Sequence, residues 1–239
     1  MIDLDVLEKE VKLGKIENSY VFRVIDTETC GLEGGIVEIA SIDVVDGVLN
    51  NPMSDLVSPD RPISLDAMVI HHITEEMVEG KPRIAVAVRK YQGSPYYVAH
   101  NAPFDRGVLP EMGGQWICTL KLARMLYPDI KHSNQYLRYA LRLNVSVPDN
   151  LYPHRALYDC YVTAALLQRI MRDSGWSAEQ MADITQQPVL LPTFKFGKYR
   201  GKSIEQIARQ DPDYLRWMLA SITDLTPDLR YTLTHYLAE

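Results

Sequence analysis

"YVFRVIDTETCGLEGG", residues 20 to 35, ends an apolar run in two carboxylates, Asp26 and Glu28, separated by one threonine. The run is rich in β-branched and aromatic side chains and reads as a strand. Residues two apart on a strand share a face and lie about 6.6 Å apart along it, so Asp26 and Glu28 belong to one site while Thr27 points the other way. At an effective dielectric near 20, two bare carboxylates at that distance repel by about 2.5 kcal/mol, and a bound divalent cation would reverse the sign. All-oxygen ligands suit the hard ions Mg²⁺ and Mn²⁺ rather than zinc. Taken alone, the dipeptide reads more readily as a strand end followed by a solvated turn, and other parts of the chain must raise it.

Working outward, "GIVEIASIDVVDG" (35 to 47) is a second strand closed by an Asp-Gly turn signal, and "GVLNNPMSDLVSP" (47 to 59) can supply a third. "SLDAMVIHHITEEMV" then turns helical, with Ser64 as its cap. "SPYYVAHNAPFD" (94 to 105) reads as a strand running into a loop, and residues 119 to 127, 133 to 143 and 156 to 172 have helical periodicity. Strands first, then strands alternating with helices, imply a layered α/β domain. Residues 173 to 194 contain Gly175, Pro188 and Pro192 and lose the long periodicity, which makes them the candidate boundary before a small module. Ahead of the first strand, residues 1 to 18 form an extension, read as a short amphipathic helix or a loose segment.

The chain has 239 residues, 46% of them hydrophobic, enough for a sizeable core in one medium domain plus a small second one. No apolar run approaches the roughly 18 residues of a membrane span, and no basic, apolar and cleavage regions open the chain, so a cytoplasmic protein without membrane partners is expected. Cys30, Cys118 and Cys160 are scattered and without a CxxC pair, most simply reduced core thiols. The net charge of −6 argues against a general polyanion binder. "KFGKYRGK" (195 to 202) is a local exception, carrying Lys195, Lys198, Arg200 and Lys202 and no acid.

Two further motifs carry acids. In "AHNAPFDRGVL" (99 to 109), Asp105 follows a strand and begins a helix, at the kind of strand-to-helix junction where open sheets gather ligands; as an alternative it merely caps the helix. Asn101 and Phe104 beside it offer a polar group and an aromatic face. In "HRALYDCYVTAALLQRI" (154 to 170), His154 and Asp159 are five positions apart, and on one continuous helix they would lie about 140° apart. They converge only if His154 sits in the lead-in after Pro153. An acid beside Leu157, Val162 and Leu166 calls for a partner or a metal.

"DTE", "HNAPFD" and "HRALYD", in that order and spacing, resemble the DnaQ-like 3'-to-5' exonucleases of the DEDDh group. The likeness spans roughly residues 20 to 172, and the tail "FGKYRGK" extends it over nearly the full chain to one bacterial branch of that group. The resemblance implies a ribonuclease H-like mixed sheet flanked by helices over 19 to 175, a linker at 176 to 192 and a small C-terminal module at 193 to 239. It implies that Asp26, Glu28, Asp105 and Asp159 hold two Mg²⁺ or Mn²⁺ ions and that His154 is the general base for the attacking water, releasing 5'-mononucleotides from DNA 3' ends, single- or double-stranded. For substrate contacts it points to Leu32, with Thr27 and Cys30, to His71 beside His72, and to Asn101 and Phe104. One departure is the 25 residues that precede Asp26, where the group's first motif usually stands near the chain start.

The tail "TFKFGKYRGKSIEQIARQDPDYLRWML" (193 to 219) interleaves Phe194, Phe196 and Tyr199 with Lys195, Lys198, Arg200 and Lys202. It reads either as a nucleic-acid grip by charge and stacking or as a hairpin whose aromatics bury against the helix carrying Tyr214, Leu215 and Trp217. The main expectation is a DNA 3' exonuclease serving repair or end trimming. Its rivals are an RNA 3' exonuclease of the same fold, distinguished by contacts with the 2'-hydroxyl; a proofreading subunit; a catalytically silent nucleic-acid-binding module; and a metal-dependent transferase with a DxD-like motif. The complete acid set with His154 argues against the silent module, and "HRALYD" goes unexplained by the transferase.

Overall fold

The structure, a computed structural model, describes residues 20–238; the extension expected at residues 1 to 18 lies outside them. The chain divides into two compact units, one ending at Thr185 and the other running from Gln186.

The first unit is built on a five-stranded sheet: β1 (Val21–Thr29), β2 (Ile36–Val45), β3 (Val48–Leu56), β4 (Tyr96–Ala99) and β5 (Gln115–Cys118), in the order β3-β2-β1-β4-β5. β1 to β3 form an antiparallel meander, and β4 and β5 add in parallel on the other side of β1. The sheet is therefore mixed, as expected. β5 was not expected from the sequence, because four buried residues leading straight into a helix leave no alternation to read. Its edge position completes the parallel half.

Helices cover both faces. α1 (Leu65–His71) starts where Ser64 Oγ accepts from the Ala67 N–H at 3.2 Å, and it stops where His72 turns left-handed at φ 59°. That stop splits the single helical stretch expected over "SLDAMVIHHITEEMV"; α2 (Glu75–Val78) and α3 (Ile84–Ala87) are short turns beyond it. α4 (Ala102–Val108) follows β4, α5 (Thr119–Leu126) follows β5, and α6 (Asn134–Ala140) leads to α7 (Ala156–Ser174), which Gly175 ends in a left-handed cap. Phe22 and Val24 of β1, with Ala40, Ile42 and Val44 of β2, pack under Ala156, Cys160, Ala164 and Leu167 of α7. Ile25, Ile39 and Tyr97 form the other face, with Tyr91, Ala102 and Leu109. Cys30, Cys118 and Cys160 are all buried free thiols.

The linker expected at 176 to 192 is corrected by α8 (Ala178–Gln186), whose Ala178, Met181 and Ala182 are buried in the first unit's main core. Gly175 and Pro188 bracket that helix rather than interrupting it. The second unit has a core of its own: Phe194, Ile204, Ile207, Leu215, Met218, Leu229 and Leu233, from a loop and the helices α9 (Ile204–Gln210), α10 (Pro212–Ser221) and α11 (Pro227–Ala238). Among the described residues no helix is long and apolar enough to cross a membrane.

Candidate active site

The alternation that buries Phe22 and Val24 under α7 continues along β1 to Asp26 and Glu28, so the same face turns from apolar to acidic at the strand's end. There it meets the first turns of α7, which present Asp159. One oxygen from each of Asp26, Glu28 and Asp159 lies within 4.8 Å of the others, an all-oxygen set that fits a hard divalent cation. Asp159 Oδ1 accepts from Gln135 Nε2 at 3.2 Å, and its Oδ2 from the His154 backbone N–H at 3.1 Å. The first turn of a helix also favours an anion electrostatically.

Asp105 is 3% exposed, on α4, and stands outside that three-acid group. Its Oδ1 accepts from Thr27 Oγ1 at 2.9 Å, so the strand residue that points away from the acids anchors the fourth one. Thr27 is thus spoken for by the protein itself.

These acids are electrostatically frustrated. Burial pushes Asp26 well above the carboxylate range, and the nearby charges of Asp105, Asp159, Glu28 and Glu38 push it further. Burial, then Asp159, Glu38 and Asp105, raise Glu28 from 4.5 to about 8, with Arg155 opposing. Burial likewise raises Asp105 to about 7 against its hydrogen bond from Thr27, and raises Asp159 against the pull of His154. Added positive charge would relieve all four together.

Two residues missed in the sequence hold α7 in place. Glu38, 2% exposed, sits opposite Glu28 in the β1–β2 register and accepts from Arg155 through both oxygens, Nη2 to Oε1 at 2.6 Å and Nε to Oε2 at 2.9 Å. Its Oε2 also accepts from the Ala156 N–H at 3.0 Å, satisfying a free donor at the start of α7. Ser54 Oγ donates to Oε1 at 3.0 Å. Cys160 Sγ donates to the Ala40 carbonyl at 3.4 Å on the far side of Asp159. An acid with apolar neighbours on both sides, Glu38 in "IVEIA", was the available signal. His154 itself is exposed, in the lead-in to α7 as its convergence required, with a left-handed backbone at φ 63°.

The remaining candidates separate clearly. Leu32 is 95% exposed just beyond the acids, Asn101 is exposed with a left-handed backbone at φ 76°, and Phe104 is half-buried. Cys30 is buried and donates to the Arg61 carbonyl. The expectation for His71 is corrected: it is 2% exposed, its Nδ1 accepts from the Ile73 N–H at 2.9 Å, and its Nε2 then donates to the Thr29 carbonyl at 3.2 Å. Both ring nitrogens fasten α1 to the end of β1. Sequence position brought this histidine to the right region but could not give the direction of its side chain.

In the second unit, Tyr199 is half-buried, its ring packed edge-on against Tyr214 and its hydroxyl donating to Asp211 Oδ2 at 2.7 Å. Lys198 shares that carboxylate at 3.1 Å. Lys195, Arg200 and Lys202 remain exposed.

Comparison with known proteins agrees with this geometry. The exonuclease family profile matches residues 24–167, and the exodeoxyribonuclease X-like C-terminal profile matches 194–222. Exodeoxyribonuclease 10 of Escherichia coli strain K12 is 62% identical over 217 residues, covering 91% of this chain and 99% of its own length. A solved structure of exonuclease X in complex with 5' overhanging duplex DNA aligns at 66% identity with a TM-score of 0.68, covering 69% of this chain and 99% of that one. The nuclease domain of 3'hExo, a DEDDh family member bound to rAMP, shares the fold at 16% identity and a TM-score of 0.53, over 66% of this chain and 94% of that one. The expected ribonuclease H-like architecture is thereby shared with solved DEDDh nucleases, and the chain belongs to the DnaQ-like exonuclease family.

Proposed function

We propose that this exonuclease removes nucleotides one at a time from DNA 3' ends, with Asp26, Glu28, Asp159 and Asp105 as the ligands of two Mg²⁺ or Mn²⁺ ions and His154 as general base. The observation that carries the reading is the convergence of Asp26, Glu28 and Asp159 within 4.8 Å at the end of the central strand β1, each raised by burial, and Asp26 and Glu28 raised further by their acidic neighbours. When bound, the ions would supply Lewis-acid activation and neutralise charge on the scissile phosphate.

The chain's own residues account for the rest. His154, on an exposed lead-in whose backbone is tied to Asp159, takes the proton of the attacking water as the new oxygen–phosphorus bond forms. The bond from phosphorus to the 3' oxygen of the preceding nucleotide breaks, that oxygen is protonated, and a 5'-mononucleotide leaves. Leu32 packs the terminal base, with Asn101 and Phe104 beside the strand. Asp105, with Thr27 holding its Oδ1, completes the acid set from the other side of β1. DNA is favoured by kinship with an exodeoxyribonuclease and with a DNA-bound exonuclease X, which also supports a cytoplasmic role in repair or end processing.

The test uses matched DNA and RNA oligonucleotides, single- and double-stranded, with Mg²⁺ or chelator, beside an Asp26→Ala control. Mononucleotide release from DNA 3' ends that chelator and Asp26→Ala both abolish is expected. Metal-independent degradation would overturn the mechanism, and a strong preference for RNA would replace the substrate.

A further inference from the structure

The loop and helices of the second unit sort their aromatic and basic residues into two sets. Phe194, 1% exposed, packs edge-on against Tyr214 at 5.8 Å, and Tyr199 does the same at 5.0 Å, so these rings are the unit's core. Phe196 and Trp217 are not used in this way: they are 46% and 52% exposed. Trp217 stacks on Tyr214, with centroids at 5.7 Å and planes at 29°, and still keeps half of its surface open to solvent.

Charges divide in the same manner. Residues 193 to 219 hold six bases and three acids, a net +3, in a chain of net −6. Each of the acids has a cation: Glu205 with Arg209, Asp211 with Lys198, and Asp213 with Arg216. Lys195, Arg200 and Lys202 form no ion pair among the described residues, and all lie on the loop between Phe194 and Ser203.

The loop is also fixed. Phe194 and Lys202 bond through the backbone at 3.0 Å, Gly201 donates to the Phe194 carbonyl at 2.8 Å, and Thr193 bridges Ser203. Gly197 adopts φ 75°, and a Cβ there would collide with the Tyr214 hydroxyl, so the loop abuts the hydroxyl end of the tyrosine that stacks on Trp217. A loop carrying three cations outside any ion pair thus meets, at Gly197, the tyrosine that stacks on the half-exposed Trp217.

We propose that this surface of the C-terminal unit binds single-stranded DNA, a base stacking on the half-exposed indole of Trp217 with Phe196 as a second platform, and phosphates pairing with Lys195, Arg200 and Lys202. The proposal rests on DNA being the polymer degraded by the first unit. Rigid aromatics beside unpaired cations are what strand binding without sequence readout requires, since every base has a stacking face and every nucleotide a phosphate.

The test is anisotropy of a labelled thirty-residue oligo-dT with the full-length chain in chelator, where no strand is cut. Trp217→Ala is expected to weaken binding by roughly tenfold or more, and Trp217→Tyr to restore most of it. The triple reversal Lys195→Glu, Arg200→Glu and Lys202→Glu changes only exposed side chains; it is expected to lower the slope of log affinity against log salt by about 2. In Mg²⁺, the same variants should cut a trinucleotide at the wild-type rate while KM for the long strand rises. Unchanged binding by both the alanine and the triple variant overturns the proposal, as does tighter binding of oligo-U than of oligo-dT. If the wild type binds oligo-dT through these residues yet does not degrade DNA, the catalytic reading fails and this surface stands. If it degrades DNA and the variants bind normally, the reverse holds.

Discussion

Glu28 and Glu38 stand opposite one another on β1 and β2, on the same face of the same sheet, and their circumstances could hardly differ more. Glu38 is enclosed by Arg155, Ser54 and the Ala156 N–H, which satisfy both of its oxygens. Glu28 has Asp26 and Asp159 as its near neighbours and is pushed up to about 8. The first acid is part of the scaffold: it fixes where α7 begins and thereby where Asp159 and His154 stand. The second is held in an arrangement that the fold alone disfavours. A buried acid with donors and a half-buried acid among acids are the same residue type in two different jobs.

The sharpest test of that contrast is activity. Glu28→Gln is expected to lower turnover by about 10³-fold or more, the size of several kcal/mol of lost transition-state stabilisation, while the metal-free midpoint of thermal unfolding stays level or rises. A variant that cuts at the wild-type rate would remove Glu28 from the site. Glu38→Ala should do the opposite in the metal-free protein, lowering stability in urea by about 3 kcal/mol because a half-buried guanidinium loses its partner. An unchanged midpoint there would break the comparison from the scaffold side.

The pH dependence follows from the sign of the shifts. Glu28 rises from 4.5 to about 8 and Asp105 from 3.8 to about 7, so the folded, metal-free chain retains protons that the unfolded chain has already released. Stability is therefore greatest below about pH 4 with respect to these groups, and it falls as pH climbs to about 8, by roughly 1 kcal/mol or more. Urea titrations at several pH values with chelator should trace that fall, and Mg²⁺ should flatten it; a metal-free stability that rises over this window would contradict the arrangement. Smallest of all, Leu32→Ala is expected to raise KM roughly tenfold through lost packing on the terminal base. The unfolding midpoint should not move, because the side chain is 95% exposed.

How far the sequence could be read depended on what each feature needed for its meaning. Asp26 and Glu28 were legible because strand geometry alone puts them together, and Ser64 because a cap acts within three residues. β5 was too short to show a period. α8 was hidden because Gly175 and Pro188, which stop a helix, are locally indistinguishable from the marks of a linker. Glu38, Gln135 and Arg155 act across separations of 24 to 117 residues, which no local pattern encodes. His71 lay within reach of the site in sequence, but whether its ring turned outward or inward was a matter of packing.

The left-handed backbone of His154 has a consequence of its own. Such a conformation costs a non-glycine residue about 1 kcal/mol or more, so the fold by itself would be more comfortable with glycine at that point. His154→Gly should accordingly give a sturdier protein that has lost its base, with an opening where the ring was. Free imidazole diffusing into that opening would then be a reagent for chemical rescue, restoring turnover in proportion to its unprotonated fraction.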